Sequence, residues 1–262
     1  MISAHARQKQ QLLWQLTLRD IDAKYRGAQL GWLWALLAPL LMVAMYTLLF
    51  SVVFQARWGQ MQDHVSYGVM IYAGLVLHGF LMDVISRSTA CIVGQANLVK
   101  KVVFPPVLLP TVVVLSSAFQ LVLGIAVLLV AASLVGFAVT WHVVWLPVVL
   151  LPFLLLSLGL AWALASLGVY LRDLQQVMPF LGNALLFTSP ILFPRDAMPE
   201  LIRPWLLLNP LSAVTEQVRR VALEGHAPDW SLWAGAMGVG LCVAALGWWW
   251  FDQTRKGFAD VL

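Results

Sequence analysis

Charged residues are scarce in this chain: Asp, Glu, Lys and Arg make up 11% of its 262 residues, against about 25% in an average soluble domain. The longest uncharged run covers residues 102–171, and four others cover 27–56, 64–82, 174–194 and 230–251. A soluble domain needs charged groups on its surface, whereas a bilayer core about 30 Å thick requires about 20 apolar residues per spanning helix. The sequence therefore predicts an all-α integral membrane protein.

Residue types that carry chemistry are also few. Cys91 and Cys242 lie in different predicted elements, which excludes a disulfide framework. The five histidines show no metal-ligand spacing, and no Gly-Lys dipeptide occurs, so the phosphate-binding loop of an ATPase is absent. We therefore expect no catalytic residue, metal or cofactor in this chain. If ATP drives the protein, ATP and Mg²⁺ bind to another subunit.

A carrier driven by protons or sodium would place ionisable groups within its spans. The candidate here is Asp83, which precedes Arg87 by four residues near the end of a predicted span. An ion pair between positions i and i+4 at a helix end is the simpler interpretation. Secondary transport therefore has little support from the sequence.

The longest uncharged run is too long for one crossing and is interrupted by Gly136 and Pro147, so we divide it into two helices. Residues 1–29 then form a cytoplasmic amphipathic interface helix, and residues 30–262 form a membrane domain of six spans. The predicted spans are 30–54, 65–85, 107–137, 145–170, 175–191 and 232–250.

Basic residues predict the orientation, because Lys and Arg accumulate in cytoplasmic loops. Eleven of the 16 lie on one side of the six-span arrangement and five on the other, so both termini are expected in the cytoplasm. This bias, together with anionic membrane lipid, accounts for the net charge of +4, and nucleic acid is not an expected partner. No cleavable signal is apparent, so we expect the first span to be retained.

An amphipathic helix is predicted before the first span. Trp14, Leu18, Ile21 and Tyr25 recur at spacings of four, three and four, with charged residues between them. Such a helix suits either the membrane interface or the surface of a partner protein, and the periodicity leaves both possibilities open. Glycines at 27 and 31 are then expected to turn the chain from the interface into the membrane.

Four segments, taken in order, resemble the permease subunits of type-2 ABC exporters of lipid-linked polysaccharides such as O-antigen, teichoic acid and capsule. They are RDIDAKYRGAQLGWLWALLAP at 19–39, ANLVKKVVFPPVLLP at 96–110, RDLQQVMPFLGNALLFTSPILFP at 172–194 and LNPLSAVTEQVRRVAL at 208–223. The resemblance implies a homodimeric permease of the bacterial inner membrane, served by two ATPase subunits. A type-2 exporter of a small lipid or drug, and a membrane scaffold or enzyme without a pump, are the alternatives.

The resemblance also implies where the ATPase couples to the permease. The contacts would be the helix before the first span and a short coupling helix around 92–99. From the residues alone this second segment is a basic connector, whose cations anchor the cytoplasmic side. The implied coupling residues are Arg19, Tyr25, Arg26, Asn97, Leu98, Lys100 and Lys101.

Aromatic side chains could line the implied channel, since flat apolar rings stack on sugar faces without requiring one hydrogen-bond pattern. Contact with lipid or helix packing is the alternative, and the two tryptophans also fit an interfacial aromatic belt. The candidates are Trp32, Trp34, Tyr46, Phe50, Tyr72, Phe180, Phe187 and Phe193.

An outer loop of about forty residues separates the fifth and sixth predicted spans. In it Asn209 is expected to cap a helix that ends at Gly225, with an apolar stripe at positions 211, 214, 218 and 221 and the charged residues facing elsewhere. This helix could rest on the outer leaflet; the resemblance instead implies re-entrant segments that gate the channel. The gate candidates are Pro190, Pro194, Asn209, Pro210, Glu216, Arg219 and Arg220.

Small residues predict one close pair of helices. Gly159 and Ala163 lie one turn apart in the fourth predicted span, and Ala236 and Gly240 lie one turn apart in the sixth. Small side chains at this spacing allow helices to approach closely in membranes, although the pattern is common.

Overall fold

The computed structural model describes residues 2–49, 64–101, 104–193, 200 and 209–262. Within these residues the protein is helical, with no β-strand, which confirms the predicted all-α class. The α-helices, in chain order, are α1 (Ile2–Tyr25), α2 (Leu33–Leu48), α3 (His64–Cys91), α4 (Ala96–Lys101), α5 (Leu108–Val135), α6 (Leu146–Tyr170), α7 (Leu174–Thr188), α8 (Pro210–Ala222), α9 (Trp230–Thr254) and α10 (Phe258–Val261).

Within the described part of the chain, four helices are long and apolar enough to cross a membrane. They occupy Ser66–Cys91, Leu108–Val135, Trp141–Tyr170 and Trp230–Gly257, and correspond to the second, third, fourth and sixth predicted spans. Helix α2 is apolar but has only 16 residues, and α7 has 15. The predicted first span extends past α2 to residue 54, and residues 50–54 lie outside the described part of the chain, so the count of six spans stays a prediction.

Helix α3 lies at the centre of the bundle. It packs against α2, α5, α6, α7 and α8, and its side chains Tyr72, Leu77 and Leu81 are almost completely buried. The helix ends at Cys91, six residues beyond the predicted boundary at 85. That extra length carries Arg87 into the bundle, where it contacts α1.

Glycine allows α6 and α9 to pack closely. A Cβ atom added to Gly159 would overlap the backbone of Val243, and one added to Gly240 would overlap the backbone of Pro152. The predicted contact through Gly159 and Gly240 is therefore confirmed. Gly247, which the sequence pattern had not singled out, also meets the backbone of Gly159.

The turn between α1 and α2 contains two glycines with positive φ, 94° at Gly27 and 48° at Gly31. Residues with a Cβ atom rarely adopt this conformation, so glycine suits both positions. The turn joins the two helices and brings Trp32 beside Tyr25, with ring centroids 5.2 Å apart. The predicted turn at these glycines is confirmed.

Candidate functional site

The amphipathic helix α1 is divided in two by its packing. Ile21 and Tyr25 are buried, and α1 packs on α5. Trp14 and Leu18, which belong to the same predicted stripe, are 62% and 44% exposed. The last turns of α1 therefore belong to the bundle, whereas its earlier turns present an uncovered apolar face that suits a membrane surface or a partner protein.

An ionic junction, which we define as Asp20, Lys24, Asp83 and Arg87, holds the end of α1 on α3. Lys24 Nζ donates to Asp83 Oδ2 at 2.7 Å. Arg87 Nη2 lies 2.6 and 2.8 Å from the two carboxylate oxygens of Asp20. Each of the four side chains is less than one third exposed. Two cations and two anions thus compensate one another in a place where a single charge would be costly.

Helix α5 completes the junction with neutral polar groups. Ser117 Oγ donates to Asp83 at 2.5 Å, and Lys24 also donates to Gln120 Oε1 at 2.9 Å. Gln120 in turn donates to the hydroxyl of Tyr25 at 3.0 Å. Burial lowers the pKa of Lys24, while its hydrogen bond to Asp83 opposes that change. Three helices are therefore joined by one hydrogen-bonded network.

The predicted pair of Asp83 and Arg87 exists, but it is the longest contact in the junction, at 3.4 Å. The stronger partners come from α1 and could not be assigned from the sequence. A signal was present, because Asp20 and Lys24 are four residues apart and flank the buried Ile21. The same spacing also fits an ion pair within α1, so the pattern alone does not identify the partners.

The segment after α3 differs from the predicted helix at 92–99. A 3-10 turn occupies Val93–Gln95, and α4 follows at Ala96–Lys101. Ile92 is buried in a cluster with Leu109, Val169 and Phe251, so the segment is fixed to α5, α6 and α9 at its start. The helix is therefore shorter and later than predicted, because Ile92 is an anchor in the apolar cluster.

The implied coupling residues have unequal exposure. Four of them, on α1, just beyond α1 and on α4, are exposed: Arg19, Arg26, Asn97 and Lys100. Leu98 packs partly against the Ile92 cluster, and Tyr25 is buried within the bundle. Lys101 is the last residue of α4. Tyr25 thus positions α1 and is not accessible to a partner.

The candidate channel aromatics also differ in their exposure. Tyr72 is buried between α3 and α5, where its hydroxyl donates to the carbonyl of Gly124 at 3.3 Å. The residue is only 1% exposed, where it borders the space between α2 and α3, so its role in lining a channel stays a prediction. Tyr46 packs partly against a cluster that contains Ile191, and Phe50 lies outside the described residues. The exposed candidates are Trp32, Trp34, Phe180, Phe187 and Phe193.

Helix α8 begins as predicted. Asn209 Oδ1 accepts from the backbone N–H of Leu211 at 3.0 Å, and Pro210 is the first helical residue. The stripe at positions 211, 214, 218 and 221 is buried, and α8 packs on α3 and α6. Its apolar face therefore belongs to the bundle. Asn209 Nδ2 also donates to Ser189 Oγ at 2.8 Å, which ties the start of α8 to the end of α7.

Arg219 is not on the charged face where we placed it. Its guanidinium is buried and donates to the carbonyls of Met70, Pro190 and Ile191, at distances from 2.6 to 3.1 Å. Burial lowers the pKa of this group. The prediction from helical spacing failed because α8 is buried on a second face as well, where Ser212 and Thr215 are also buried. Arg219 and the buried Pro190 thus position α8 on α3.

The remaining gate candidates are more accessible. Glu216 and Arg220 are exposed, and Arg220 donates to the carbonyl of Ala227 at 2.7 Å. Pro194 lies outside the described residues. The junction near Asp83 and the Arg219 contact at Met70 are 13 residues apart on α3, which corresponds to about 20 Å along a helix. The two buried charged sites therefore occupy opposite ends of the same central helix.

Comparison with known proteins identifies the family of this chain. Residues 11–223 match the family model described as ABC-2 type transporter. This chain belongs to the ABC-2 type transporter family. The matched region begins within α1 and ends one residue after α8, so the family domain includes both helices that carry the buried charged sites. The resemblance drawn from four short segments is thus confirmed, and the division at residue 29 stays a prediction.

Full-length relatives carry consistent names. The O-antigen export system permease protein RfbA of Myxococcus xanthus is 32% identical over 253 residues, which cover 95% of this chain and 94% of the relative. A protein of the same name from Klebsiella pneumoniae is 24% identical over 96% of this chain and 95% of the relative. The polysialic acid transport protein KpsM of Escherichia coli is 26% identical over 82% of each chain. This chain is a multi-pass membrane protein of the same family.

Proposed function

We propose that this chain is the membrane-spanning subunit of an ATP-driven exporter that moves a lipid-linked polysaccharide across the bacterial cytoplasmic membrane. The observation that carries the proposal is the similarity, over almost the whole chain, to a permease named for O-antigen export. A second relative is named for the transport of polysialic acid. Both named cargoes are polysaccharides, which supports a sugar polymer over a small lipid or drug.

The proposed assembly is a homodimer of six-span subunits with two ATPase subunits, and with both termini in the cytoplasm. The accessible face of α7 supports an interface between two subunits. This face carries Phe180 and Phe187, which are 76% and 65% exposed, together with the amide of Asn183. An amide directed into hydrocarbon is unfavourable. A second subunit or a water-filled path suits this face better than lipid.

Coupling is proposed to act through α4 and α1. Asn97 and Lys100 are exposed on α4, which follows the buried anchor Ile92. A partner that pushes on α4 therefore acts on a segment fixed to three long helices. Coupling requires that the contact energy differ between the nucleotide states of the partner. Arg19 and Arg26 offer a second contact, next to the ionic junction.

The outer gate is proposed to include α8 and the segment that connects it to α7, with re-entrant geometry. Glu216 and Arg220 would face the emerging sugar chain, while Arg219 and the apolar stripe hold α8 in the bundle. Cysteines at 193 and 216, placed in a chain with both native cysteines replaced by serine, should label from outside to different extents in resting and transporting states. Equal, free labelling in both states would contradict the gate.

The function is tested by deleting the gene and measuring polysaccharide on the cell surface. Loss from the surface with accumulation of the lipid-linked polymer inside is expected, and the intact chain should restore export. Normal surface polysaccharide after deletion would contradict the proposal. In the purified complex, Asn97→Ala with Lys100→Ala should leave ATP hydrolysis but abolish export, while Lys9→Ala, an exposed change on α1, should leave both unchanged.

A further inference from the structure

A cavity of about 610 Å³ lies between α2 and α3, against α5 and beside the end of α1. Small residues line part of it, so that no large side chain fills the space there. Ala35 and Ala38 belong to α2, Gly79 to α3 and Gly124 to α5. A Cβ atom added to Gly79 would meet no other atom within 4 Å. The volume falls within the range of small-molecule sites.

The lining of this cavity changes in character along α3. Asp83 lies at one end with Lys24, Tyr25 and Gln120. The remaining wall is mostly apolar, formed by residues such as Met42, Leu75, Val76, Phe80 and Leu121. From Asp83 to Tyr72 the cavity follows α3 over 11 residues, or about 16 Å. A lining with one ionic end and a long apolar body complements an amphiphile.

The ionic end lies at the level expected for lipid headgroups. Trp34 lines the cavity near this end, Trp32 lies against Tyr25, and the amphipathic α1 ends there. Tryptophans and amphipathic helices collect at the membrane interface. The apolar body of the cavity therefore extends toward the acyl chains of the same leaflet.

The ionic end carries one positive and one negative side chain, Lys24 and Asp83. Lys24 donates to Asp83 and Gln120, which uses two of its three N–H groups. Among the described residues, the hydrogen bonds that Asp83 accepts all go to Oδ2. One donor on Lys24 and the Oδ1 acceptor of Asp83 therefore have no hydrogen-bond partner within the described part of the chain and are available to a ligand. A headgroup with one negative and one positive group matches this pair, whereas a purely anionic headgroup would face the Asp83 carboxylate without compensation.

We propose that this cavity is a binding site for one zwitterionic glycerophospholipid, such as a phosphatidylethanolamine. The phosphate accepts from Lys24, the ammonium donates to Asp83, and one acyl chain lies along α3 between α2 and α5. The bound lipid fills the space between α2 and the bundle, so that α2 packs on lipid where it does not pack on protein. The site is independent of the exported cargo.

The test uses native mass spectrometry of the full chain, purified with its ATPase partner in mild detergent. Phosphatidylethanolamine and phosphatidylglycerol with the same acyl chains are titrated separately. We expect one tightly retained phosphatidylethanolamine per chain, with an apparent Kd about tenfold lower than that of phosphatidylglycerol, equivalent to one charge-assisted contact. Equal retention of the two lipids would overturn the headgroup assignment.

The cavity itself is tested by Gly79→Phe, which places a ring in open space within it. Binding of phosphatidylethanolamine should weaken at least tenfold. The matched control is Gly238→Phe on α9, where a Cβ atom also meets open space but the residue does not line this cavity. Unchanged binding in Gly79→Phe, or equal loss in the control, would overturn the proposal.

A photoreactive acyl chain provides a second readout that does not depend on variants. Phosphatidylethanolamine with a diazirine near the middle of one chain should crosslink to peptides of α2 and α3. If Gly79→Phe instead disrupts association between two copies, and lipid crosslinks occur elsewhere, a second copy occupies the cavity and the proposal is wrong. Neither readout measures export, so failure here leaves the proposed function untouched.

Discussion

The two ends of α3 bury positive charge by different means. At one end, Lys24 and Arg87 lie against the carboxylates of Asp20 and Asp83. At the other end, the hydrogen bonds that Arg219 makes to described residues go to backbone carbonyls. Asp83 lies within hydrogen-bond distance of both Lys24 and Arg87, so the junction offers its charges more than one partner, whereas each carbonyl bonded to Arg219 is fixed in the backbone. The junction therefore suits a contact that can change partners, and the Arg219 site suits a contact that holds one position.

This difference agrees with the proposed roles of the two helices. Helix α1 would transmit movement from an ATPase, so its attachment to the bundle must tolerate small shifts. Helix α8 would form part of an outer gate on a fixed base. The first prediction concerns the rigid site, where the largest effect is expected.

Arg219→Met should destabilise the protein by about 3–4 kcal/mol, because the substitution removes four hydrogen bonds and leaves buried carbonyl oxygens without this donor. Denaturant titration in mixed micelles measures the change. The control is Arg220→Met on the adjacent, exposed position, which should cost about 0.5 kcal/mol. Equal effects of the two substitutions would remove the proposed distinction between the sites.

Asp83→Ala should cost about 2–3 kcal/mol, since Lys24 and Arg87 would stay partly buried with one carboxylate fewer. The matched control is Asp252→Ala, which removes an exposed pair with Arg255 and should cost under about 0.5 kcal/mol. The same titration reports both changes. A cost for Asp83→Ala no greater than the control would mean that the junction contributes nothing beyond surface pairing.

A double-mutant cycle of Asp20→Asn and Arg87→Gln should give a coupling energy of about 1 kcal/mol, because this pair joins α1 directly to α3. The same cycle can be carried out on ATPase coupling in the purified complex. If the junction transmits movement, the double variant should hydrolyse ATP with reduced export. If the coupling energy is measurable but export is not reduced, the pair stabilises the fold and does not transmit movement.

The smallest expected effect is on pH dependence. Burial lowers the pKa of Lys24 below its ordinary value of 10.5. At a pH between the pKa of Lys24 in the folded protein and its higher pKa in the unfolded chain, the unfolded chain binds more protons. The stability that this group contributes therefore rises with pH across that range. Lys24→Gln should remove this rise from a stability–pH curve measured on the alkaline side of neutrality. Lys9→Gln, on the exposed part of α1, is the control, and parallel curves for both variants would contradict the assignment.

Particular residues show how far the sequence could be interpreted. Asn209 and Pro210 predicted the start of α8 correctly, because capping depends on neighbours in the chain. Gly159 and Gly240 predicted a close helix pair, since only small residues allow that approach. Arg219 was misplaced, and the burial of Tyr72 was not predicted. Their burial depends on neighbours distant in the chain, Gly124 for the tyrosine and Met70 for the arginine.

The sequence by itself determined the all-helical class, the apolar helices and the family, because these follow from composition, local periodicity and short ordered segments. The tertiary structure decided which side chains share a site. Asp20 and Asp83 are 63 positions apart in sequence, yet Arg87 contacts both. Only the packing of α1 on α3 and α5 brings these charges within hydrogen-bond distance. Pairing of buried charges is a long-range property, and no pattern along one helix specifies it.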